Sequence, residues 1–268
     1  MPGAEIPFGS SLEISERHSP ASMHTTVFDV GMLWQAVDDA VGPYPPGVES
    51  VPEPIPGTAF FPGGYGIWRP DGMPLVLERR CGGVMVIGQD FHSAAGYRKS
   101  LAAGSEWPHV PTLRTLRQVL EAAGVDLDSC FLTNTYMGLR SGQTATGQFP
   151  GEQDQAFVAR CDRFLVRQIG TARPRLILTL GKPAFRAAGR VLGIPGWAAA
   201  ERFRDLDAGE PGALMTAEIP GNGAVVAVAA LLHPSLRTAS LRHRRYKGQV
   251  GNPAELALLA DARAAAGH

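Results

Sequence analysis

Apolar and polar positions divide the chain into two unlike regions that meet near residue 80. Beyond residue 82, short apolar runs alternate with stretches of helical spacing. The runs Val84–Gly88, Ser129–Asn134, Arg175–Leu180 and Val225–Leu231 lack the polar alternation of a half-exposed strand, which predicts strands buried on both faces. Helical spacing predicts helices over Thr112–Ala123, Asp154–Thr171, Lys182–Leu192 and Pro253–Ala266. Pro111 and Pro183 stand where a first helical turn tolerates proline, and Gly124 stands where a helix stops. Strands separated by helices need crossover connections, so the pattern predicts an α/β fold with a parallel four-stranded sheet covered on both faces.

The first region reads differently. Phe28, Met32, Leu33 and Val37 fall at helical spacing and predict one amphipathic helix within Thr26–Val41. Pro43, Pro45, Pro46, Pro52, Pro54, Pro56 and Pro62, with glycines at 57, 63, 64 and 66, then read as an extended loop that wraps the core or stays partly mobile. The expected division is 1–80, an N-terminal helix plus a Pro/Gly-rich wrapping segment, and 81–268, the α/β domain.

Composition narrows the picture mainly by exclusion. The 268 residues carry 25 Lys+Arg against 25 Asp+Glu, so a polyanionic partner must be argued from local clusters. No apolar stretch approaches the roughly 18–20 residues of a membrane span. Met1–Pro20 shows no basic-then-apolar layout of a secretory leader, so a cytoplasmic protein is expected. Cys81, Cys130 and Cys161 are odd in number and widely spaced, which speaks against a disulfide scaffold and a zinc or iron–sulfur site.

Chemistry gathers at strand ends. Val84–Gly88 runs into Gln89, Asp90, Phe91 and His92, and Val225–Leu231 runs through Leu232 into His233, Pro234, Ser235, Leu236 and Arg237. Open parallel sheets bind ligands beyond the carboxyl ends of their strands, which would bring Asp90 and His233 to one rim. Asp90 taken alone serves equally well as a cap for the next turn. Asn134, at the end of another strand, fits a turn better than it fits reading a nucleobase edge. Pro234 ends its ladder and fixes His233 at the rim. From Arg237 to Lys247 there are five cationic residues and one histidine in eleven positions with no acid. That run suits a phosphate-binding edge better than a solvated helix face. The polar, glycine-containing segment Arg140–Pro150 is expected as a loop on the same rim.

Taken in order, Gly88-Gln89-Asp90, Phe131-Leu132-Thr133-Asn134, Leu180-Gly181-Lys182 and His233-Pro234-Ser235 resemble the motifs of the uracil-DNA glycosylase superfamily, over residues 82 to 250. The resemblance implies a three-layer α/β/α sandwich with a short, mainly parallel sheet. It implies a monomer that flips a base out of DNA and hydrolyses the N-glycosidic bond with no metal or organic cofactor. Asp90 then matches the carboxylate that orients water and stabilises the sugar cation. Gln89 and the Asp90 backbone match the contact to the pyrimidine carbonyl, Asn134 the reader of the base edge, and His233 the donor to the departing base. Ser235 matches a phosphate contact, and Lys182, at a helix start, is expected to contact phosphate rather than to serve as a Schiff-base nucleophile. Leu236, Arg242, Arg244 and Arg245 join the DNA-binding set, and Arg237 stands at the wedge position, similar to the single-strand-selective branch.

This chain departs from the uracil-specific pattern in one respect. Phe91 and His92 stand where that pattern has proline and a tyrosine that bars C5 substituents. Phe91, Tyr97 and Trp107 are the candidates for stacking on the base. The expected function is a monofunctional glycosylase for uracil or a related altered base in DNA repair. The alternatives are a glycosylase for bulky modified bases, such as hypermodified cytosine in phage DNA with a defence role, and a catalytically silent nucleic-acid-binding module.

Overall fold

Runs that are apolar on both faces must be covered on both sides, and the structure satisfies this with a central sheet between helices. The computed structural model describes residues 26–69, 73, 75–106, 111–207 and 212–267. In chain order its elements are β1 (Val27–Asp29), α1 (Val30–Gln35), α2 (Val37–Val41), β2 (Val48–Glu49), β3 (Glu78–Arg80), β4 (Val84–Gly88), α3 (Ala94–Ala103), α4 (Pro111–Ala122), β5 (Cys130–Asn134) and β6 (Leu139–Arg140). There follow α5 (Gln155–Ala172), β7 (Leu176–Leu180), α6 (Lys182–Val191), α7 (Phe203–Asp207), β8 (Leu214–Glu218), β9 (Val225–Leu231), α8 (Arg237–Ser240), β10 (Arg245–Tyr246), β11 (Gln249–Val250) and α9 (Asn252–Ala265). Among the described residues no helix is long and apolar enough to cross a membrane.

The central sheet has the order β5-β4-β7-β9-β8. Its first four strands are parallel, and β8 joins β9 antiparallel at the far edge. The chain leaves β4 toward β5, then crosses back over β4 to reach β7. Right-handed crossovers in opposite directions place their helices on opposite faces, giving a three-layer α/β/α sandwich. The reversal lies between β4 and β7, where such sheets open a crevice. Register makes that crevice useful. Gly88 pairs with Asn134, Ile87 with Thr179, and Leu180 with Leu231, so the four parallel strands end level.

Among the elements that the sequence reading did not predict, three bear on the sheet and its cover. The sheet has a fifth strand, β8, whose residues alternate between half-buried and exposed and so lack a continuous apolar run. The helix expected over Thr26–Val41 is replaced by β1 and two short helices. Asp29 starts α1 late by accepting the Gly31 N–H at 2.7 Å, and the chain breaks helical form at Ala36. Helix α3 escaped notice because its alanines and glycine give a weak apolar stripe; Ser93 caps its start and Gly104 its end.

The Pro/Gly-rich segment seals an edge. Phe61 N–H donates to Leu132 O at 3.0 Å and Leu132 N–H to Gly66 O at 2.8 Å, so residues 61–66 occupy the otherwise free side of β5. Ile55, Phe60, Phe61 and Ile67 share one buried cluster with the strands of the sheet.

Candidate active site

Four side chains follow the level strand ends: Asp90 after β4, Asn134 at the end of β5, Lys182 after β7 and His233 after β9. Two glycines let them converge. A Cβ on Gly88 would lie 2.5 Å from Asn134 Oδ1, so only glycine admits the amide beside β4. Gly181 has φ +86°, and a Cβ there would lie 3.0 Å from the His233 Cβ.

Asp90 is not a free carboxylate. Its Oδ2 accepts from Arg140 Nε at 2.8 Å and its Oδ1 from Arg140 Nη2 at 3.0 Å, with the side chains 8% and 5% exposed. Arg140 also donates to the carbonyls of Thr146, Gly147 and Gln148 at 3.2, 2.9 and 2.9 Å. A guanidinium has five N–H donors in a fixed fork, and all five are used here. Arg140 therefore ties the loop 141–148 and Asp90 into one rigid unit, resting on the Phe149 ring 5.5 Å away. An ionised carboxylate offers about four acceptor positions, so Asp90 keeps two for a water or a ligand. Arg140→Gln should release the loop, raising hydrogen exchange of residues 141–148 by about tenfold or more while β4 and β5 stay protected. Unchanged exchange would show that the loop holds itself.

His233 is set by its own turn. Its Nδ1 accepts the Ser235 N–H at 3.3 Å and lies 2.8 Å from Ser235 Oγ. The neutral ring therefore carries its hydrogen on Nε2, which is left to donate. Burial holds the His233 pKa below the usual histidine range, and the Asp90 carboxylate partly offsets this. Asn134 is buried, and its Nδ2 donates to Phe61 O at 2.9 Å, so the amide is oriented before any ligand arrives.

Two of the five cations in the basic run, Arg237 and Arg244, turn out to be structural. Arg237 is buried and donates to Glu255 Oε1 at 3.0 Å and Asn252 Oδ1 at 2.6 Å, so it cannot protrude as a wedge. Leu236 beside it is 62% exposed. Arg244 is fully buried between Asp207 and Glu255, each 3.0 Å away, and Nη2 donates to Ala230 O at 2.5 Å. Sequence reading misjudged both arginines because their partners lie on α7 and on α9, outside the run. Ser235 is exposed, but its hydroxyl is turned to His233. Lys182 meets Glu201 at 2.6 Å in an exposed pair. Arg242 and Arg245 remain exposed, with no carboxylate on either guanidinium among the described residues. Neutralising these two should reduce the salt-dependence slope of DNA binding by up to about 2, whereas Arg244→Met should leave it unchanged. Equal effects from the two changes would overturn this division.

Of the stacking candidates, Phe91 and Tyr97 are both buried and pack edge to face with centroids 6.3 Å apart. The Tyr97 hydroxyl donates to Glu53 O at 2.6 Å. Trp107 lies outside the described residues. The structure offers a ring that sequence reading overlooked: a Cβ on Gly88 would be 3.7 Å from Phe60 Cε1, beside Asn134. Phe60 was hidden in the Pro/Gly-rich segment, where no periodicity marks function. Arg140 was visible only as the cation opening a polar loop. Gln89 is half-buried, and its backbone carbonyl accepts the Tyr136 N–H at 2.9 Å, joining the ends of β4 and β5.

The Uracil DNA glycosylase superfamily matches residues 83–250 of the chain. No curated protein matches it.

Proposed function

Because the chain belongs to the uracil-DNA glycosylase superfamily, we propose that it is a monofunctional DNA glycosylase that flips uracil or a related altered base out of DNA and hydrolyses its N-glycosidic bond. The observation that carries this reading is the meeting of Asp90, Asn134 and His233 at level strand ends beside the crossover reversal.

The chemistry follows from that arrangement. The scissile bond breaks toward a sugar cation and a base anion. Asp90, held by Arg140, keeps acceptor positions that orient a water toward the sugar and adds negative charge nearby. His233 presents Nε2–H to the oxygen on which the departing base gathers charge. Asn134 reads the base edge with its carbonyl and remaining N–H, and Phe60 supplies the stacking face. Extruding a base costs a few kcal/mol, offset by phosphate contacts from Arg242 and Arg245 and by Leu236 filling the gap.

The test is single-turnover excision on duplexes and single strands that each hold one altered base, read by cleavage at abasic sites. The reading expects an abasic product from at least one altered pyrimidine. Binding without any product would favour a catalytically silent module. Leu236→Ala should slow excision from duplex by about tenfold and hardly affect single strands, since only a duplex must be held open. An equal loss on both substrates would remove Leu236 from the wedge role.

A further inference from the structure

A cavity of about 490 Å³ begins at the residues that follow Asp90 and is lined, among the described residues, by Phe91, His92, Gly96, Lys99, Ser100, Ala103 and Glu106. Small-molecule sites span roughly 300–1,000 Å³, so this space is of ligand size and lies beyond what a plain pyrimidine fills. His92 leaves it open by lying against α3: a Cβ on Gly96 would collide with the imidazole, whose Nδ1 is 3.2 Å from Ser93 Oγ.

Its polar lining groups among the described residues are His92, Lys99, Ser100 and Glu106, of which Glu106 is the carboxyl group. Glu106 is fixed by its own N–H, which donates to Thr58 O at 2.6 Å. Its Oε2 accepts the N–H of Phe60 at 3.1 Å, the residue whose ring stands beside Gly88 and Asn134. No cation pairs with Glu106 among the described residues, and burial pushes its pKa up to about 7. With one hydrogen bond accepted from Phe60, the carboxyl group keeps acceptor positions for a donor that enters the cavity.

The orientation of the base connects this cavity to the site. On the glycosylase reading, O2 turns to His233 and the N3/C4 edge to Asn134, which leaves the C5 edge for Phe91 and His92 at the cavity wall. We propose that the cavity receives an arm on C5 of the excised pyrimidine, several non-hydrogen atoms long, whose far end donates a hydrogen bond to Glu106. The inference rests on the glycosylase reading and adds the class of base to it.

The test compares single-turnover excision of uracil, 5-propynyluracil and 5-aminoallyluracil from otherwise identical duplexes. The wild-type protein should excise both extended bases within about tenfold of its best rate. Ala103→Trp, on the exposed side of α3, should narrow the cavity and lower the extended-to-uracil rate ratio by about tenfold or more. Ser100→Trp is a second filling variant should the first fold poorly. Glu106→Gln keeps an acceptor for Phe60 but turns an amide donor toward the arm. It should lower aminoallyl relative to propynyl excision by about tenfold. Excision of uracil with refusal of both extended bases would overturn the cavity proposal and leave the glycosylase reading standing. Rate ratios unmoved by all three variants would also overturn it. Excision of none of these bases would remove the glycosylase reading for pyrimidines, and the proposal with it.

Discussion

His233→Ala lowers single-turnover base excision by at least about 100-fold and leaves DNA affinity little changed. The ring presents one hydrogen, on Nε2, because Nδ1 is taken up by Ser235. Removing one donor aimed at developing charge costs about 10²–10³ in rate. The imidazole has no hydrogen-bond partner outside its own turn among the described residues, so its loss leaves the sheet intact. Asp90→Asn should cost as much rate, but it also strips the counter-charge from buried Arg140. Pairing it with Arg140→Gln separates the loss of chemistry from the loss of stability. The pH profile gives an independent reading. A histidine whose folded pKa is depressed binds its proton later as pH falls, and the neutral ring is the required donor. Excision should therefore stay level from pH 8 down through the usual histidine value of about 6.5, falling only below it. His233→Ala should lack that acid limb. A wild-type rate already falling above pH 7, or an unaltered rate in the variant, would take His233 out of the reaction.

Glu255→Leu destabilises the protein by about 3–5 kcal/mol, the usual cost of breaking a buried ion pair from one side. Glu255 sits on α9, wholly buried, and its two oxygens serve three partners. Oε1 accepts from Leu232 N and Arg237 Nη1, each at 3.0 Å, and Oε2 faces Arg244 Nε at 3.0 Å. Arg244 meets both carboxylates as charge contacts without aligned hydrogen bonds, so their loss cannot be made good by small rotations. At roughly 2–4 °C per kcal/mol for a domain of this size, the melting midpoint should drop by about 6–20 °C. Replacing Asp207, Arg237, Arg244 and Glu255 together by apolar residues of similar volume should recover most of that drop. A single variant that melts within two degrees or so of wild type would show that the arginines reach solvent. Because Leu232 immediately precedes His233, the cluster also sets where the histidine stands.

The parallel strands were legible because burial on both faces leaves an unbroken apolar run, and level strand ends follow once those runs pair. Asp90, Asn134 and His233 were legible for the same reason, as polar residues at abrupt strand ends. What sequence could not show was pairing over distance. Arg237 and Arg244 looked like a surface stripe because the acids that bury them lie on other elements. Arg140 carried no periodic signal, and its bond to Asp90 crosses about 50 residues. Strand β8 was missed because an edge strand needs cover on one side only.

The strip at residues 61–66 bears on where this molecule can be divided. Kinship covers residues 83–250, but physical self-sufficiency extends further in both directions. A fragment cut at those limits keeps Asp90 and His233 yet loses Glu255 beneath the histidine and the chain that occupies the flank of β5. A bared strand flank is a template for a second chain. Such a fragment would clump through β5 while each strand-end residue still stood in its place, and its inactivity would say nothing about the chemistry.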